Sequence, residues 1–471
     1  MYVEQLFTGC LAEMAYYIES NGEAVVIDPL RETTPYIEKA HSRGAKIKYV
    51  FLTHFHADFV SGHVDLAKKT GATIVFGPNA KTAFDFHSGA DGEEFKIGNI
   101  TLKLLHTPGH TMESSSYLLI DAEGETPYIF TGDALFIGDV GRPDLAVKSD
   151  VTQEDLAGYL FDSLRNKIMT LPDGIIVYPA HGAGSACGKN MSKETFDTLG
   201  HQKEVNYALR ADMTKGEFVK EVTTGLVVPP QYFPKNVGMN KGINKSYDDI
   251  LTDGNNPLSV SGFKTLADNG ARILDVRHET DFVKKHIINS WFFGLDGTFA
   301  SWVGTIIEDL NTPILLIVPE GREEEAITRL SRVGYDNVKG YLKGEIEAWE
   351  QSGESTESIT SITPKEFSER LTNKNINVLD VRKNSEYYSE RVICDSSTNS
   401  CLDKLISEHT KLEKDKAFHV HCLGGYRSVI AISILQSKGY FNLTNVEGGF
   451  EKIKEYETIQ TTEYVCPTTM L

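Results

Sequence analysis

Over the first 235 or so residues, short apolar runs alternate with stretches of helical periodicity. "EAVVIDP" (23–29), "KYVFLTH" (48–54), "ATIVFG" (72–77), "ITLKLLHTPGH" (100–110), "PYIFTGD" (127–133) and "GIIVYPAHG" (174–182) read as strands. Several end in a histidine or an aspartate. This alternation predicts a layered α/β domain, in which sites form at strand ends. A polar stretch rich in Gly, Pro and Asn follows, "PPQYFPKNVGMNKGINKSYDD" (229–249). It reads as a linker, or as an arm laid on a neighbouring surface, including that of a second subunit in a homo-oligomer.

The remainder repeats. "ARILDVRHETDFVKKHI" (271–287) matches "INVLDVRKNSEYYSERV" (376–392) at an offset of 105 residues; Gly334-Tyr335 matches Gly439-Tyr440 and Gly344 matches Gly449 at the same offset. A period this long means two copies of one small domain of alternating strands and helices, hence a parallel-sheet α/β fold. The expected divisions are 1–250, 251–355 and 356–471. They make the chain an α/β multidomain protein.

Composition removes some partners. The formal net charge of −19 disfavours nucleic acid and anionic membrane. No apolar run reaches the roughly 18 residues of a spanning helix, and no targeting segment is visible. The six cysteines, Cys10, Cys187, Cys394, Cys401, Cys422 and Cys466, lack paired spacing. They suit a reduced, cytoplasmic protein rather than a disulfide framework.

The chemistry begins at "THFHADFVSGH" (53–63). A pattern that reads H-x-H-x-D-H in many metallohydrolases has Phe59 in place of its last histidine. Phenylalanine has no donor atom, so a second metal would lack a ligand. His54, His110 and Asp133 remain, each at a strand end. Two imidazoles and one carboxylate with open positions suit a mononuclear non-haem Fe(II) centre, and zinc with three ligands and water is also possible.

The ordered set THxHxD, PGHT, GD and PAHG resembles the metallo-β-lactamase superfamily, and in particular its persulfide dioxygenases. That resemblance implies an αββα sandwich, one Fe(II) held by His54, His110 and Asp133, and a surrounding set of His56, Asp58 and His181. It also implies that Arg142, in "GDVGRPDLA" (138–146), meets the carboxylate of a glutathione-like thiol. Cys187, six residues beyond His181, is a possible auxiliary thiol.

A second centre lies in "HVHCLGGYRSVIAISIL" (419–435). Cys422 follows an apolar strand, Gly424 and Gly425 let backbone N–H groups turn inward, and Arg427 precedes a helix. Such a loop stabilises a nucleophilic thiolate and cradles one anion. It resembles the C-x-x-G-x-R loop of rhodanese sulfurtransferases, together with the LDVR strand (379–382) and Gly448-Gly449. Asp380 and Arg382 read as a structural ion pair rather than as catalytic groups. The first copy has "LLIVPEGREEEAITRL" (315–330) instead, with no cysteine, and reads as a degenerate rhodanese-like domain.

Together these features imply an enzyme that oxidises a thiol persulfide of glutathione or coenzyme A type with O2 to sulfite and thiol. A rhodanese then joins sulfite to sulfane sulfur as thiosulfate, which clears excess persulfide. Two rivals remain. One is a thioester hydrolase of the glyoxalase II type, which wants two metals. The other is a sulfur-carrier or sensing module that delivers Cys422 persulfide to a partner.

Overall fold

The computed structural model describes residues 1–147, 150–373 and 376–466, so the far end of the expected third division lies outside it. The chain forms two compact units, Met1–Asp248 with Ser331–Gly334, and Asp249–Leu330 with Tyr335–Leu471.

The first unit holds two six-stranded sheets. One runs in chain order through β1 (Tyr2–Thr8), β2 (Glu13–Ser20), β3 (Glu23–Ile27), β4 (Lys46–Phe51), β5 (Thr73–Phe76) and β6 (His87–Ser88). The other contains β7 (Glu94–Ile97), β8 (Ile100–His106), β9 (Ser115–Ile120), β10 (Tyr128–Gly132), β11 (Ile176–Pro179) and β12 (Asp197–Thr198), in the same sequential order. Strand alternation explains why both faces of each sheet are apolar. Tyr16, Ile18, Val25, Ile27 and Phe51 meet Phe95, Leu102, Leu104, Tyr117 and Phe130 between the sheets. The intervening residues Ala15, Tyr17, Val26 and Val50 pack outward on Tyr36 and Ala40 of the helix Thr34–Ser42 and on Leu66 of the helix His63–Thr70. Leu118, Ile129 and Val177 pack outward on Ala157 and Leu160 of the helix Gln153–Ser163 and on Phe218 of the helix Lys215–Thr223. The αββα sandwich is therefore built. Its strand ends lead into Asp28 after β3, His54 after β4, Asp133 after β10 and His181 after β11.

The 229–249 stretch is not a free linker. Much of it is a helix, Phe233–Lys241, within the first unit.

The second unit contains the two copies. Each has a five-stranded, all-parallel sheet of the same order. In the first copy this is Pro257–Leu258, Val338–Leu342, Ile314–Ile317, Arg272–Asp275, Trp291–Phe292. In the second it is Thr360–Ile362, Leu443–Val446, Phe418–His421, Asn377–Asp380, Ser397–Asn399. The central strands read as continuous apolar runs because both faces are covered.

Candidate metal and thiol sites

His54, His110 and Asp133 come together: one ligand atom of each lies within 4.8 Å of the others. All three are buried. His110 Nε2 is 3.4 Å and His54 Nε2 3.8 Å from Asp133 Oδ2. The far side of each ligand is fixed. Thr53 donates its hydroxyl to Asp28 Oδ2 (2.7 Å), so its Oγ1, 3.0 Å away, is left to accept from His54 Nδ1. His110 Nδ1 donates to Arg142 O at 2.8 Å, and His181 Nδ1 donates to Asp133 Oδ1 at 2.8 Å. The bonds at His54 and His110 select the tautomers whose Nε2 lone pairs face inward. His54 Nε2 and Asp133 Oδ2 are buried without a hydrogen-bond partner. An unpaired buried imidazole and carboxylate aimed at one point are costly unless a cation joins them, so the donor set fits a metal ion.

The electrostatics agree with that arrangement. Burial opposes ionisation of Asp133, but His181, His54 and His110 together hold its carboxyl well below the usual range. Burial, then the neighbouring His56, pushes His54 well below the ordinary imidazole value. His181 goes the other way. Burial opposes its charge, yet Asp133 and Asp58 raise it well above that value.

His56, Asp58 and His181 form a second trio within the same 4.8 Å limit. Its ring nitrogens and carboxylate oxygens lie close to one another, yet His56 Nδ1 and Nε2, both Asp58 oxygens and His181 Nε2 are also buried without a hydrogen-bond partner, so this trio too presents unpaired donors. His181 Nε2 is 2.8 Å from Asp58 Oδ2, and His56 Nε2 is 3.1 Å from Asp28 Oδ1. The fully buried Phe59 ring lies against His56, with centroids 4.3 Å apart. Cys187 does reach the site, since its Sγ joins Asp133 and His181 in a third group. It is buried, and burial followed by the charges of Asp58 and Asp133 pushes its thiol well up, so it stays protonated.

The Arg142 guanidinium is held by protein groups. Nε and Nη2 each donate to Asp144 at 2.7 Å, Nη1 donates to Ala186 O, and Nη2 also reaches Val227 O. The side chain anchors its loop, and the residue acts on the site through its carbonyl, which orients His110.

Sequence reasoning missed Asp28, Glu13 and Asn240. Asp28 has a φ of +51°, an uncommon conformation that aspartate tolerates, and it takes both Thr53 N–H (2.8 Å) and Thr53 O–H. The "IDP" end of β3 was the available signal. Glu13 is fully buried with both oxygens unpartnered, and burial raises its carboxyl well above the usual range.

In the second unit, Cys422 follows the strand Phe418–His421 and is 1% exposed. Gly425 N–H donates to its Sγ at 3.1 Å. The helix Tyr426–Ser437 starts immediately afterwards, so its positive end faces the sulfur. Gly425 has φ +103°, which a side chain would resist. Gly449 explains the Gly-Gly signal. A Cβ there would come within 2.4 Å of Leu423 O, and the helix Gly449–Ile453 donates Phe450 N–H to Cys422 O at 2.7 Å. Gly424 has no such restriction; its nearest neighbour would be 3.8 Å away. Arg427 does not point alone into the cradle. Nη1 and Nη2 donate to Glu386 Oε2 and Oε1 at 2.7 and 2.8 Å, a bidentate pair that the sequence reading did not foresee. A cleft of about 620 Å³ opens over the loop, with walls from Thr298 and Trp302 of the first copy and Lys383, Glu386 and Arg427 of the second.

The expected ion pair of the LDVR strand forms: Arg382 Nη2 donates to Asp380 Oδ2 at 2.6 Å. In the first copy Val318 follows the equivalent strand, Ile314–Ile317.

Comparison with known proteins places these geometries. The metallo-beta-lactamase superfamily matches residues 8–181, and the rhodanese-like domain matches residues 259–352 and again 363–456. The chain is 32% identical over 183 residues to the mitochondrial persulfide dioxygenase ETHE1 of Homo sapiens, covering 38% of this chain and 67% of that protein. It is also 32% identical over 177 residues to the cytoplasmic hydroxyacylglutathione hydrolase of Arabidopsis thaliana, covering 36% of this chain and 65% of that one. The chain thus spans about two thirds of the length of each. These two identities are equal, so they do not separate the two chemistries. A solved structure described as a metallo-beta-lactamase from Staphylococcus aureus subsp. aureus COL is 30% identical, with a TM-score of 0.64, over 73% of this chain and 98% of that chain. Among the described residues no helix is long and apolar enough to cross a membrane. The chain belongs to the metallo-β-lactamase superfamily, as a metallo-β-lactamase domain joined to two rhodanese-like domains.

Proposed function

We propose that the first domain is a mononuclear non-haem Fe(II) persulfide dioxygenase and that the Cys422 loop is a thiosulfate-forming sulfurtransferase. The observation that carries the reading is the convergence of His54 Nε2, His110 Nε2 and Asp133 Oδ2 on one point, with Phe59 packed where a second site needs a donor. The relationship to ETHE1 supports the same chemistry. The first reaction balances as R-SSH + O2 + H2O giving R-SH and H2SO3. Bound to the triad, Fe(II) would supply open positions for a soft sulfur donor and for O2, together with the one-electron chemistry that O2 requires. The chain's own contribution is positional. Asp28 and Thr53 fix His54, the Arg142 carbonyl fixes His110, and charged His181 fixes Asp133. Burial keeps bulk water away from the reacting sulfur.

In the second reaction the Cys422 thiolate attacks the outer sulfur of a persulfide. The S–S bond breaks, the outer sulfur keeps its hydrogen, and the carrier leaves as a thiolate with the bonding pair and takes a proton from solvent. Sulfite then attacks the outer sulfur of Cys422-SSH, the bonding pair returns to Cys422, and thiosulfate departs. Gly425 N–H and the helix end stabilise negative sulfur at both stages. Covalent fusion keeps sulfite at raised effective concentration. Six cysteines without paired spacing support a reducing compartment, the cytoplasm.

The test is oxygen uptake by anaerobically iron-loaded protein given glutathione or coenzyme A persulfide, with sulfite, thiosulfate and metal counted. Persulfide-dependent uptake at one iron per chain, abolished in Asp133→Ala, is expected. No uptake at full iron occupancy refutes the dioxygenase. The His56, Asp58 and His181 trio and the equal identity to the Arabidopsis hydroxyacylglutathione hydrolase favour the hydrolase alternative, which requires two metals per chain and thioester turnover. Sulfur delivery unchanged in Asp133→Ala, without oxygen uptake in the parent protein, would favour the carrier reading.

A further inference from the structure

The helix Phe233–Lys241 is pinned to the loop that carries the metal ligands. Asn240, 2% exposed, accepts Ser61 N–H through Oδ1 and donates Nδ2 to His56 O and Phe59 O, all at 2.8 Å. One side-chain amide thus satisfies three buried backbone groups on either side of Asp58. That register brings Val237 and Lys241 to the rim of a cleft of about 180 Å³, whose other walls include Phe55, Met112 and Leu145 and which reaches His110.

Three properties of the cleft restrict its occupant. Its volume falls below the roughly 300–1,000 Å³ of pockets that enclose a whole drug-sized ligand, so it holds a segment and leaves the rest outside. Its lining is mainly apolar. Its charges cancel: among the described lining residues the one ammonium is Lys241 and the one acid is Glu113. Lys241 Nζ lies 4.8 Å from the Phe55 ring centroid, and among the described residues no hydrogen bond or ion pair commits it.

On the dioxygenase reading, we propose that this cleft binds the carrier portion of the thiol persulfide. It selects a carrier whose first stretch beyond sulfur is uncharged, and Lys241 reads an anionic group placed further out. A pantetheine-type arm, made of amides and methyl groups with phosphates beyond, has this pattern. A glutathione body does not, because burying its carboxylates against Glu113 and an apolar wall would leave charges unpaired. The helix Phe233–Lys241 is therefore a specificity element of the metal site.

The experiment is calorimetric titration of the full chain with two unreactive thioethers, S-methyl coenzyme A and S-methylglutathione. Lys241→Met is the variant, since it keeps the apolar stem over Phe55, and its circular dichroism and iron content serve as controls. The coenzyme A thioether should bind at least tenfold more tightly than the glutathione thioether. Lys241→Met should weaken it about tenfold and flatten its salt dependence. Equal binding by both thioethers, or by both proteins, overturns the proposal. Lys241-dependent binding without any persulfide-driven oxygen uptake would keep the cleft and reject the oxygenase. Normal uptake with an unchanged KM for coenzyme A persulfide in Lys241→Met would reject the cleft and keep the oxygenase.

Discussion

In both rhodanese-like copies an arginine folds back on the aspartate two residues before it. Arg277 Nη2 donates to Asp275 Oδ2 and Arg382 Nη2 to Asp380 Oδ2, each at 2.6 Å. Each then reaches a carbonyl eight residues on, Lys285 O at 2.8 Å and Glu390 O at 2.9 Å. The sheets share one order and one direction. The chemical difference between the copies lies at one strand end. After Phe418–His421 comes Cys422 and a six-residue loop that wraps its sulfur; after Ile314–Ile317 comes Val318 with proline next and one residue fewer before the matching Gly-Tyr. Scaffold and chemistry are thus separable: the buried pair belongs to the fold, while reactivity belongs to one loop. The inert copy is nevertheless bound to the reactive one. Tyr426, inside the cysteine loop, donates its hydroxyl to Gly294 O at 2.8 Å, and its ring lies where a side chain on Gly297 would go.

Breaking the difference should give the largest effect. Cys422→Ser is expected to lower thiosulfate formation by about 10³-fold or more while sulfite accumulates and oxygen uptake persists. Breaking the shared part should treat the copies alike. Arg277→Ala or Arg382→Ala leaves a buried carboxylate uncompensated and should cost about 3–5 kcal/mol in denaturant unfolding; a large gap between the two would show that the pairs are not equivalent. A change at Gly449 strikes the cradle from behind. Gly449→Ala meets Leu423 O at a φ of +60° and should destabilise by about 1–3 kcal/mol, with sulfurtransfer lost before the far-ultraviolet spectrum changes.

A smaller effect separates the copies by pH. Burial opposes ionisation of Glu386, but Arg427 holds its carboxyl below the ordinary value of about 4.3. Its contribution is therefore complete above that value and is lost as pH falls through the lower, folded one. Glu386→Gln should flatten the acid limb of the stability profile; an unchanged limb would mean that the pair carries no linkage. Least of all is expected from Val318→Cys in a Cys422→Ser background. A thiol without an inward N–H should leave thiosulfate formation at the level of the single variant.

Much of this was legible in residues. Strand-end histidines and aspartates, the repeat, and the spacing around Cys422 each encode a local geometry that survives folding. What was not legible depends on distant partners. Arg142 looked like a free fork because Asp144, Ala186 and Val227 converge on it only in three dimensions. Glu386 reads as an ordinary first-turn acid of the helix Asn384–Ser389, and only folding sets it 41 residues away against Arg427. The 229–249 stretch carries the polar composition of a linker, and Asn240 gains its meaning only from the backbone groups that it satisfies.

That asparagine also bears on how such chains are assembled and divided. A gene fusion would be expected to meet in dispensable sequence, where insertions and deletions accumulate without cost. Here the seam cannot fall between 230 and 241, because Ser61 N–H and the carbonyls of His56 and Phe59 would lose their partner. Tyr247 N–H extends the attachment by donating to Asp65 at 2.7 Å. Recombination that exchanges the downstream copies, in nature or in the laboratory, should therefore reject a breakpoint within the helix Phe233–Lys241, and one just beyond residue 248 should be tolerated only where Ser331–Gly334, which belong to the first unit, are kept.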